Sequence, residues 1–372
     1  MFFKTCGTFE TIFSICLTFD IICYKLKKEI IFRRFFYMIN TKEKQEYFSR
    51  QKIDIVGTSD DMNTYIYKLS DDGIMFREAV IDSGRGGDPV EILHSTDFHL
   101  NCLNARDCIE MRPCILSTRE FRFAFRDGRT VPNTISTMAL SKFFDQTVIT
   151  GDTIDYITWG TFDLMDELIW KPYPETLVAL GGHDITRVMQ GKVADDTTLE
   201  SRYDLVKENW RHDVHYVSKI LGDKVRVVVL NNGQSRYFDH QVEKFEKELE
   251  NARRDNHIIL VFQHEQLCTH NKNEKNANPI RINDGSGNRN FCDNFMGCER
   301  SDEPTKRMYK LITENADIVK GVFCGHWHSD YYTEIIASYK DEHGNKVDTF
   351  IPQYVLTGNM YDKGHALIIT VK

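Results

Sequence analysis

Short apolar segments alternate with longer amphipathic segments from Val90 onward. The apolar segments are rich in Val, Ile, Leu and Phe and predict β-strands. The predicted strands are Glu91–His94, Thr147–Thr150, Thr176–Leu180, Lys224–Leu230, His257–Phe262 and Ile318–Phe323. The amphipathic segments repeat apolar residues with helical spacing, as Val242, Phe245 and Leu249 do. The predicted helices are Asn133–Phe144, Tyr203–Leu221, Gln241–Arg254 and Thr305–Asn315.

The two ends of the chain have a different pattern. Near the start, Tyr65–Leu69 and Ile74–Val80 flank Ser-Asp-Asp-Gly and predict a hairpin. Near the end, Tyr331–Tyr339, Thr349–Leu356 and His365–Val371 are predicted to be antiparallel strands. Strand–helix alternation followed by hairpins predicts a layered α/β fold with mixed sheets. We divide the chain into an N-terminal extension (residues 1–40), a β-rich lead-in (41–89) and one large domain (90–372).

The composition is that of an ordinary globular protein, with 41% hydrophobic and 27% charged residues among 372. A net charge of −8 gives no general attraction for nucleic acids or anionic membranes. None of the ten cysteines forms a Cys-x-x-Cys pair, which argues against a structural zinc site. We expect reduced thiols in a cytoplasmic protein, with disulfides in an exported protein as the alternative.

The N-terminal extension is first apolar and then basic. Ile12–Tyr24 is interrupted by Asp20 and is shorter than the about 20 apolar residues that a membrane span needs. No small-residue cleavage site follows it, so a secretory signal fits poorly. The basic, aromatic segment Lys25–Tyr37 offers the one route to membrane association. We favour the alternative that translation starts at Met38 and that the extension lies outside the fold.

Asp and His residues follow most of the predicted strands. The first strand leads into Asp97-Phe-His99, and residues two apart in an extended segment face the same side and can hold one cation. Gly151 permits a tight turn after the next strand, and the two oxygens of Asp152 can then bridge two cations. Later strand ends carry His183, His264, His326 and His328. Because ligands of open α/β sites lie at the carboxyl ends of strands, the sequence predicts a metal site there.

These blocks resemble those of the calcineurin-like metallophosphoesterases. The pattern of that family is Asp-x-His, Gly-Asp-x-x-Asp, Gly-Asn-His-Asp/Glu, a lone His and Gly-His-x-His. The chain has, in the same order, Asp97-Phe-His99, Gly151-Asp152-Thr-Ile-Asp155, Gly181-Gly182-His183-Asp184, His264 and Gly325-His326-Trp-His328. The resemblance extends from Val90 to the end of the sequence. It implies a four-layer αββα sandwich of two mixed β-sheets.

The resemblance also implies a dinuclear metal centre. The first metal would be held by Asp97, His99 and His328, the second by His264 and His326, and both by Asp152. His and carboxylate ligands together suit Mn, Fe, Zn or Ni better than Ca or Mg alone. The expected reaction is hydrolysis of a phosphomonoester or phosphodiester by a metal-activated water.

His183 is the expected catalytic residue beside the metals, because the resemblance gives it no metal to bind. It would protonate the leaving oxygen or stabilise charge in the transition state. Asp155 or Asp184 would orient its ring. For Asp184, a helix-start cap is an equal alternative.

Gly182 departs from the family pattern, in which an Asn offers its side-chain carbonyl to the second metal. Asn231 and Asn232 follow a strand and are candidate substitutes. The departure leaves open a rival function, a catalytically weakened member of the same fold that acts as a binding module. A metal-dependent amide hydrolase would use similar ligands, but the order of the blocks does not support it.

The sequence leaves the substrate open beyond a small-molecule or phosphorylated compound, and it carries no specific nucleic-acid signal. The polar segment 269–290, with His270, Arg281 and Arg289, would suit a lid over the site. A solvated surface insertion explains it equally well. Arg119, Arg122 and Arg126 are further candidates for phosphate contact, with an amphipathic element as the alternative. The oligomeric state is left open.

Overall fold

The computed structural model describes residues 44, 54–58, 66–69, 74–107, 130–185, 199–267, 302–328, 330–360 and 363–372. For residues 54–58, 66–69 and 331 it describes the backbone alone. The chain divides into two compact units, Met1–Lys52 and Ile53–Lys372. In the first unit only Lys44, in a helical segment, is described, so Ile12–Tyr37 lies outside the described residues. The elements below all belong to the second unit.

Two mixed β-sheets make up the centre of the second unit. The first sheet contains β1 (Asp54–Thr58), β2 (Ile66–Leu69), β3 (Ile74–Ile81), β4 (Val90–Ser95), β5 (Gln146–Thr150), β6 (Leu177–Ala179) and β13 (Gly364–Val371), in the order β1-β2-β3-β13-β4-β5-β6. The second contains β7 (Tyr216–Leu221), β8 (Val225–Leu230), β9 (Ile258–Gln263), β10 (Val319–Cys324), β11 (Tyr331–Lys340) and β12 (Lys346–Val355), in the order β11-β12-β10-β9-β8-β7. Strands β4, β5 and β6 are parallel, as are β8, β9, β10 and β12. The carboxyl ends of each parallel set therefore meet at one edge.

Five α-helices are described. They are α1 (Thr130–Ala139), α2 (Trp159–Met165), α3 (Leu199–Asn209), α4 (Asp239–Asp255) and α5 (Glu303–Thr313). A π-helical turn, Asp166–Trp170, continues α2, and short 3-10 turns cover Ser141–Phe143 and His183–Ile185. Two of the longer helices have recognisable capping residues. Asp302 accepts the N–H of Thr305 at 3.0 Å at the start of α5, and Asn256 ends α4 in the left-handed conformation.

Three apolar cores define the layers. One core lies between the sheets and takes side chains from both, including Ile92, Val148, Leu260, Phe323 and Leu367. A second packs α1, α2 and α3 on the first sheet, with Met138, Ile149, Phe162, Val178 and Val206. A third packs α4 and α5 on the second sheet, with Val228, Phe245, Leu249, Met308 and Ile312. The four-layer αββα sandwich is thus confirmed.

The predicted strands of the alternating region match β4, β5, β6, β8, β9 and β10. The predicted N-terminal hairpin is confirmed by the antiparallel pairing of β2 with β3. The lead-in is part of the first sheet, because β3 also pairs along its whole length with β13.

One predicted helix is wrong in its second half. Tyr203–Leu221 was expected to be a single helix, but α3 ends at Asn209 and the chain returns as strand β7. All six β7 residues pair with β8, from Tyr216 opposite Leu230 to Leu221 opposite Val225. These main-chain pairings at the edge of the second sheet outweigh a local pattern that suits either structure.

The end of the chain also differs from the prediction. Strands β11 and β12 form the expected antiparallel pair. The last strand, β13, does not extend that hairpin but enters the first sheet, parallel to β3 and antiparallel to β4. Helix α2 was not predicted from the sequence.

None of the described helices is long and apolar enough to cross a membrane. The buried Cys324 is a free thiol.

Candidate metal centre

Asp97 and His99 lie just beyond β4, at the carboxyl edge of the first sheet, and both are fully buried. The N–H of Asp97 donates to the carbonyl of Gly151 at 3.0 Å, and that of His99 to the carbonyl of Asp152 at 2.9 Å. Asp97, His99 and Asp152 have φ angles of 51°, 47° and 47°. Positive φ is uncommon for residues with a Cβ and persists only where the surrounding structure holds it. The paired loops after β4 and β5 therefore set the direction of these three side chains.

The two oxygens of Asp152 face different partners. Oδ1 accepts the N–H of His183 at 2.8 Å. Oδ2 lies 3.2 Å from Nε2 of His264 and 3.7 Å from Nε2 of His99. Gly151, with φ of 87°, brings this loop so close to its neighbour that an added Cβ would lie 2.6 Å from a backbone nitrogen. Oδ2 is thereby placed between two histidines from different sheets.

His264 follows β9 in the second sheet and is held at both its backbone and its ring. Its Nδ1 donates to the carbonyl of Thr150 at 2.7 Å, which turns Nε2 towards Asp152. The side-chain oxygen of Asn232 accepts the N–H groups of His264 and Glu265, each at 2.9 Å. The ring therefore has one orientation, with its tautomer fixed by the carbonyl.

His326 and His328 follow β10, with φ angles of 73° and 53°. Nδ1 of His326 lies 3.2 Å from Nε2 of His264. Nε2 of His328 lies 3.3 Å from Nε2 of His99 and 3.0 Å from Oδ1 of Asp97. The two histidines are separated by one residue, yet His326 faces His264 whereas His328 faces His99 and Asp97.

The side chains form two sets that could each hold a metal ion. The first set is Asp97, His99, Asp152 and His328, and the second is Asp152, His264 and His326. Within each set the potential ligand atoms lie within 4.8 Å of one another. Oδ1 of Asp97 is buried, and its near neighbours are the imidazole nitrogens of His328 at 3.0 Å and His99 at 3.7 Å, which are themselves potential metal ligands. A divalent cation fits this arrangement, because it would satisfy that oxygen and the imidazole nitrogens around it.

The electrostatics of the pocket favour added positive charge. Burial is the largest single effect and disfavours the protonated form of His99, but hydrogen bonds to Asp155 and Asp97 and the charge of Asp152 together outweigh it and raise the pKa of His99 to about 9. Burial is again the largest single effect and opposes protonation of His264, but the charge and hydrogen bond of Asp152, with the charge of Asp97, together overcome it and raise the pKa of His264 to about 10. Burial alone would raise the pKa of Asp152, yet His264 holds that pKa below its usual range. Cation binding would therefore release protons from these imidazoles.

Asp155 lies between His99 and His183. Its Oδ1 is 2.9 Å from Nδ1 of His99 and 3.2 Å from Nδ1 of His183. Nδ1 of His183 also lies 3.0 Å from the backbone carbonyl of Asp155. The two imidazole rings meet edge to face, with centroids 4.7 Å apart. These contacts also explain why His99, Asp155 and His183 cluster closely enough to resemble a third ligand set.

Asp184 has neither of the two roles considered for it. Its Oδ1 accepts the N–H of Ile154 at 2.9 Å and its Oδ2 accepts the N–H of Gly181 at 2.7 Å. The carboxyl group therefore joins the loops after β5 and β6, whereas Asp155 is the carboxylate beside His183. Burial, and then the charge of Asp152, raise the pKa of Asp184 to about 7.

Gly182 has room for a side chain. An added Cβ would lie 3.2 Å from the carbonyl oxygen of Gly233, a tight contact, and the backbone of Gly182 is not in the left-handed region. The side-chain oxygens of the two candidate substitutes are committed elsewhere. Asn231 accepts the N–H of Gly233 at 3.2 Å, and Asn232 accepts the two N–H groups after β9.

Sequence reasoning missed the residues that position the candidate ligands. Thr96 donates to Oδ2 of Asp97 at 2.6 Å, and the carbonyl of Thr150 fixes His264. The signal was present, because each threonine is the last residue before a ligand block. The other predicted substrate contacts lie outside the described residues, namely Arg119, Arg122, Arg126 and the segment 269–290 with His270, Arg281 and Arg289.

No family model matches the chain, and a search of curated proteins finds no significant match. Among solved structures, the chain is similar to a dimetal phosphatase from Danio rerio, with 13% identity, a TM-score of 0.37, and coverage of 73% of this chain and 89% of the other. A purple acid phosphatase from yellow lupin (Lupinus luteus) seeds is 13% identical, with a TM-score of 0.39 and coverage of 82% and 49%. The chain thus spans about half the length of that enzyme.

A third similar structure is a calcineurin-like phosphoesterase from Bacillus subtilis. It is 10% identical, with a TM-score of 0.28 and coverage of 74% of this chain and 83% of the other. At these identities and TM-scores, the residues of this chain alone carry any assignment of function.

Proposed function

We propose that the chain is a metal-dependent phosphoesterase with two divalent cations. The observation that carries the proposal is the position of Oδ2 of Asp152, within reach of a histidine from each sheet. A carboxylate that belongs to both ligand sets is the arrangement that a dinuclear centre needs. The remaining ligands would be Asp97, His99 and His328 at the first ion and His264 and His326 at the second.

Two divalent cations bound here would lower the pKa of a coordinated water and neutralise the phosphoryl oxygens of a substrate. His183 is one-third exposed, with 34% of its side chain accessible, so a substrate can reach it. Its Nδ1 faces Asp155, so proton transfer to a leaving oxygen would use Nε2. Asp155 orients that ring and that of His99 together.

The ligand chemistry limits which metal ions the site would bind, but it does not identify the substrate. Imidazole and carboxylate donors favour Mn, Fe, Zn or Ni. The proposed substrate is a phosphomonoester or a phosphodiester, either as a small molecule or as part of a larger phosphorylated compound.

Gly182 favours one alternative, a binding module with the same fold and reduced catalysis. The second ligand set contains three residues where the family pattern supplies four. A weakly held second ion would leave a protein that binds phosphorylated compounds without turning them over.

Purified protein loaded with Mn²⁺ should hydrolyse p-nitrophenyl phosphate or bis-p-nitrophenyl phosphate. The ratio of the two rates would give the preference for monoesters or diesters. Metal content, measured on the same sample, separates the two candidates. Bound metal with no turnover of either compound would favour the binding module, and no bound metal would overturn both.

A further inference from the structure

Arg77 is a buried arginine in the lead-in, with 2% of its surface exposed. It lies in β3 of the first sheet, on the face directed at the second sheet, where Ala79 and Ile81 join the core between the sheets. Its Nη2 lies 2.8 Å from Oδ1 of Asp330 and donates to the carbonyl of Val355, also at 2.8 Å. Both partners belong to the second sheet or its connections. A buried arginine therefore ties the two sheets together.

The partners of Arg77 flank the metal centre. Asp330 is two residues beyond His328, and its Oδ1 also accepts the N–H of Thr357 at 2.9 Å. The next residue, Gly358, packs so closely on Asp97 that an added Cβ would lie 3.0 Å from the Asp97 Cβ. Asp330 thus joins the segment carrying His328 to the segment that supports Asp97.

The geometry points to Arg77 as a positioning residue of the metal centre, an inference that rests on the proposed function. Asp97 and His328, whose Oδ1 and Nε2 atoms lie 3.0 Å apart, both have positive φ and need the surrounding structure to hold them. Nη2 of Arg77 serves the carboxylate of Asp330 and the carbonyl of Val355 together, and it carries a permanent positive charge, which an apolar side chain cannot do. Without it, the carboxylate of Asp330, which is 9% exposed, loses the positive charge 2.8 Å away and among the described residues keeps only the imidazole of His365 at 3.8 Å, so it must move or take up water.

The test is the affinity of the Arg77→Met variant for Mn²⁺, measured by competition with a chelator. Changes in groups that support metal ligands typically weaken metal binding about 10–100-fold, and we expect a loss in that range. Arg226→Met is the matched control. Arg226 is also a buried arginine, with Glu248 at 2.7 Å and Asp255 at 2.6 Å, at the amino end of β8 and far along the strand from the ligands. It should lower the melting temperature and leave Mn²⁺ affinity unchanged.

Two further variants cover the case in which Arg77→Met does not fold. Arg77→Lys keeps the charge on a shorter side chain without the planar guanidinium, and Asp330→Asn keeps the acceptor for Thr357 without the charge. Each should weaken Mn²⁺ binding less than the full loss of Arg77 and remain folded. Normal affinity in a folded Arg77→Met, or in both milder variants, would overturn the inference, as would an equal loss in Arg226→Met.

The same Mn²⁺ titration distinguishes failure of this inference from failure of the proposed function. A wild-type chain that binds no Mn²⁺ would overturn the metal centre and, with it, the role of Arg77. A wild-type chain that binds Mn²⁺ without hydrolysing any ester would overturn the enzymatic proposal alone, since the affinities of the variants can still be compared.

Discussion

Oδ2 of Asp152 lies 3.2 Å from Nε2 of His264, and so a residue of the first sheet meets a residue of the second. Asp152→Asn would remove the negative charge at the proposed bridge and place a neutral amide where two cations should share a carboxylate. We expect most activity and much of the bound metal to be lost while the circular dichroism spectrum is unchanged. Metal analysis and turnover would check this. Asp348→Asn, in an exposed part of β12, is the control. Near-normal metal content and turnover in the Asp152 variant would defeat the assignment.

His183→Ala should separate catalysis from metal binding. Its Nδ1 faces Asp155, and it lies in neither of the two sets of metal ligands that share Asp152. Loss of general acid catalysis typically costs about 10²–10⁴-fold in turnover, and we expect a fall in that range with two metal ions retained. His343→Ala, at an exposed turn, should change neither quantity. If bound metal falls in proportion to turnover, His183 is a ligand and its proposed role is wrong.

Gly182→Asn should tighten the second ligand set. In the family pattern an amide oxygen completes that set from this position, and the side-chain oxygens of Asn231 and Asn232 are already bonded elsewhere. We expect the second cation of the wild-type chain to be stripped first by dialysis, and activity to depend on added metal. The substitution should reduce that dependence, at the cost of a small shift away from the carbonyl of Gly233.

Calorimetric titration of metal into stripped protein would measure both sites. Gly182→Ala is the control, because it adds the Cβ without the amide. Two equally tight sites in the wild-type chain would mean that another group already completes the second set.

His94, which is not among the proposed metal ligands, should make the protein acid-sensitive. Burial, and then the charge of Arg77, lower the pKa of His94 from 6.5 to about 3. Between these values the unfolded chain binds a proton that the folded chain excludes. The free energy of unfolding should therefore fall as the pH falls through this window, by up to about 1.4 kcal/mol per pH unit from this residue.

His94→Gln would remove this titration and can keep the hydrogen bond to Oγ1 of Thr150, which lies 2.8 Å from Nε2 of His94. Urea unfolding of both proteins, with chelator present, would be compared from about pH 6.5 to about pH 4. We expect the wild-type profile to be steeper. Parallel profiles would show that His94 does not titrate differently in the folded state.

The sequence predicted the Asp- and His-containing motifs of the candidate site, because each motif is a contiguous pattern at the end of a strand. The sequence did not predict contacts between residues that are far apart along the chain. Asp184 accepts a hydrogen bond from Ile154 in another loop, and Asn232 accepts one from the backbone of His264. Neither role can be predicted from the neighbouring sequence. The assignment of Tyr216–Leu221 failed for the same reason, since pairing with β8 decides its structure.

A chain that begins at Met38 should fold and bind its metals, since every proposed ligand lies beyond Val90 and the described strands begin at Asp54. A chain that begins at Val90 should not, because it lacks β3 and with it the register of eight paired residues along β13. Solubility, circular dichroism and metal content would compare the two. Insolubility of the Met38 chain would show that the extension packs on the domain.

Strand β13 inserts between β3 and β4, although these two strands lie near the start of the described sheets and β13 lies at their end. During synthesis on a ribosome, β3 and β4 emerge long before their common neighbour. Until residues up to Val371 have left the exit tunnel, both strands have an unpaired edge and the loop that carries Asp97 lacks its support. The nascent chain would therefore expose these two edges until β13 emerges, and the loop that carries Asp97 would take its final position only then.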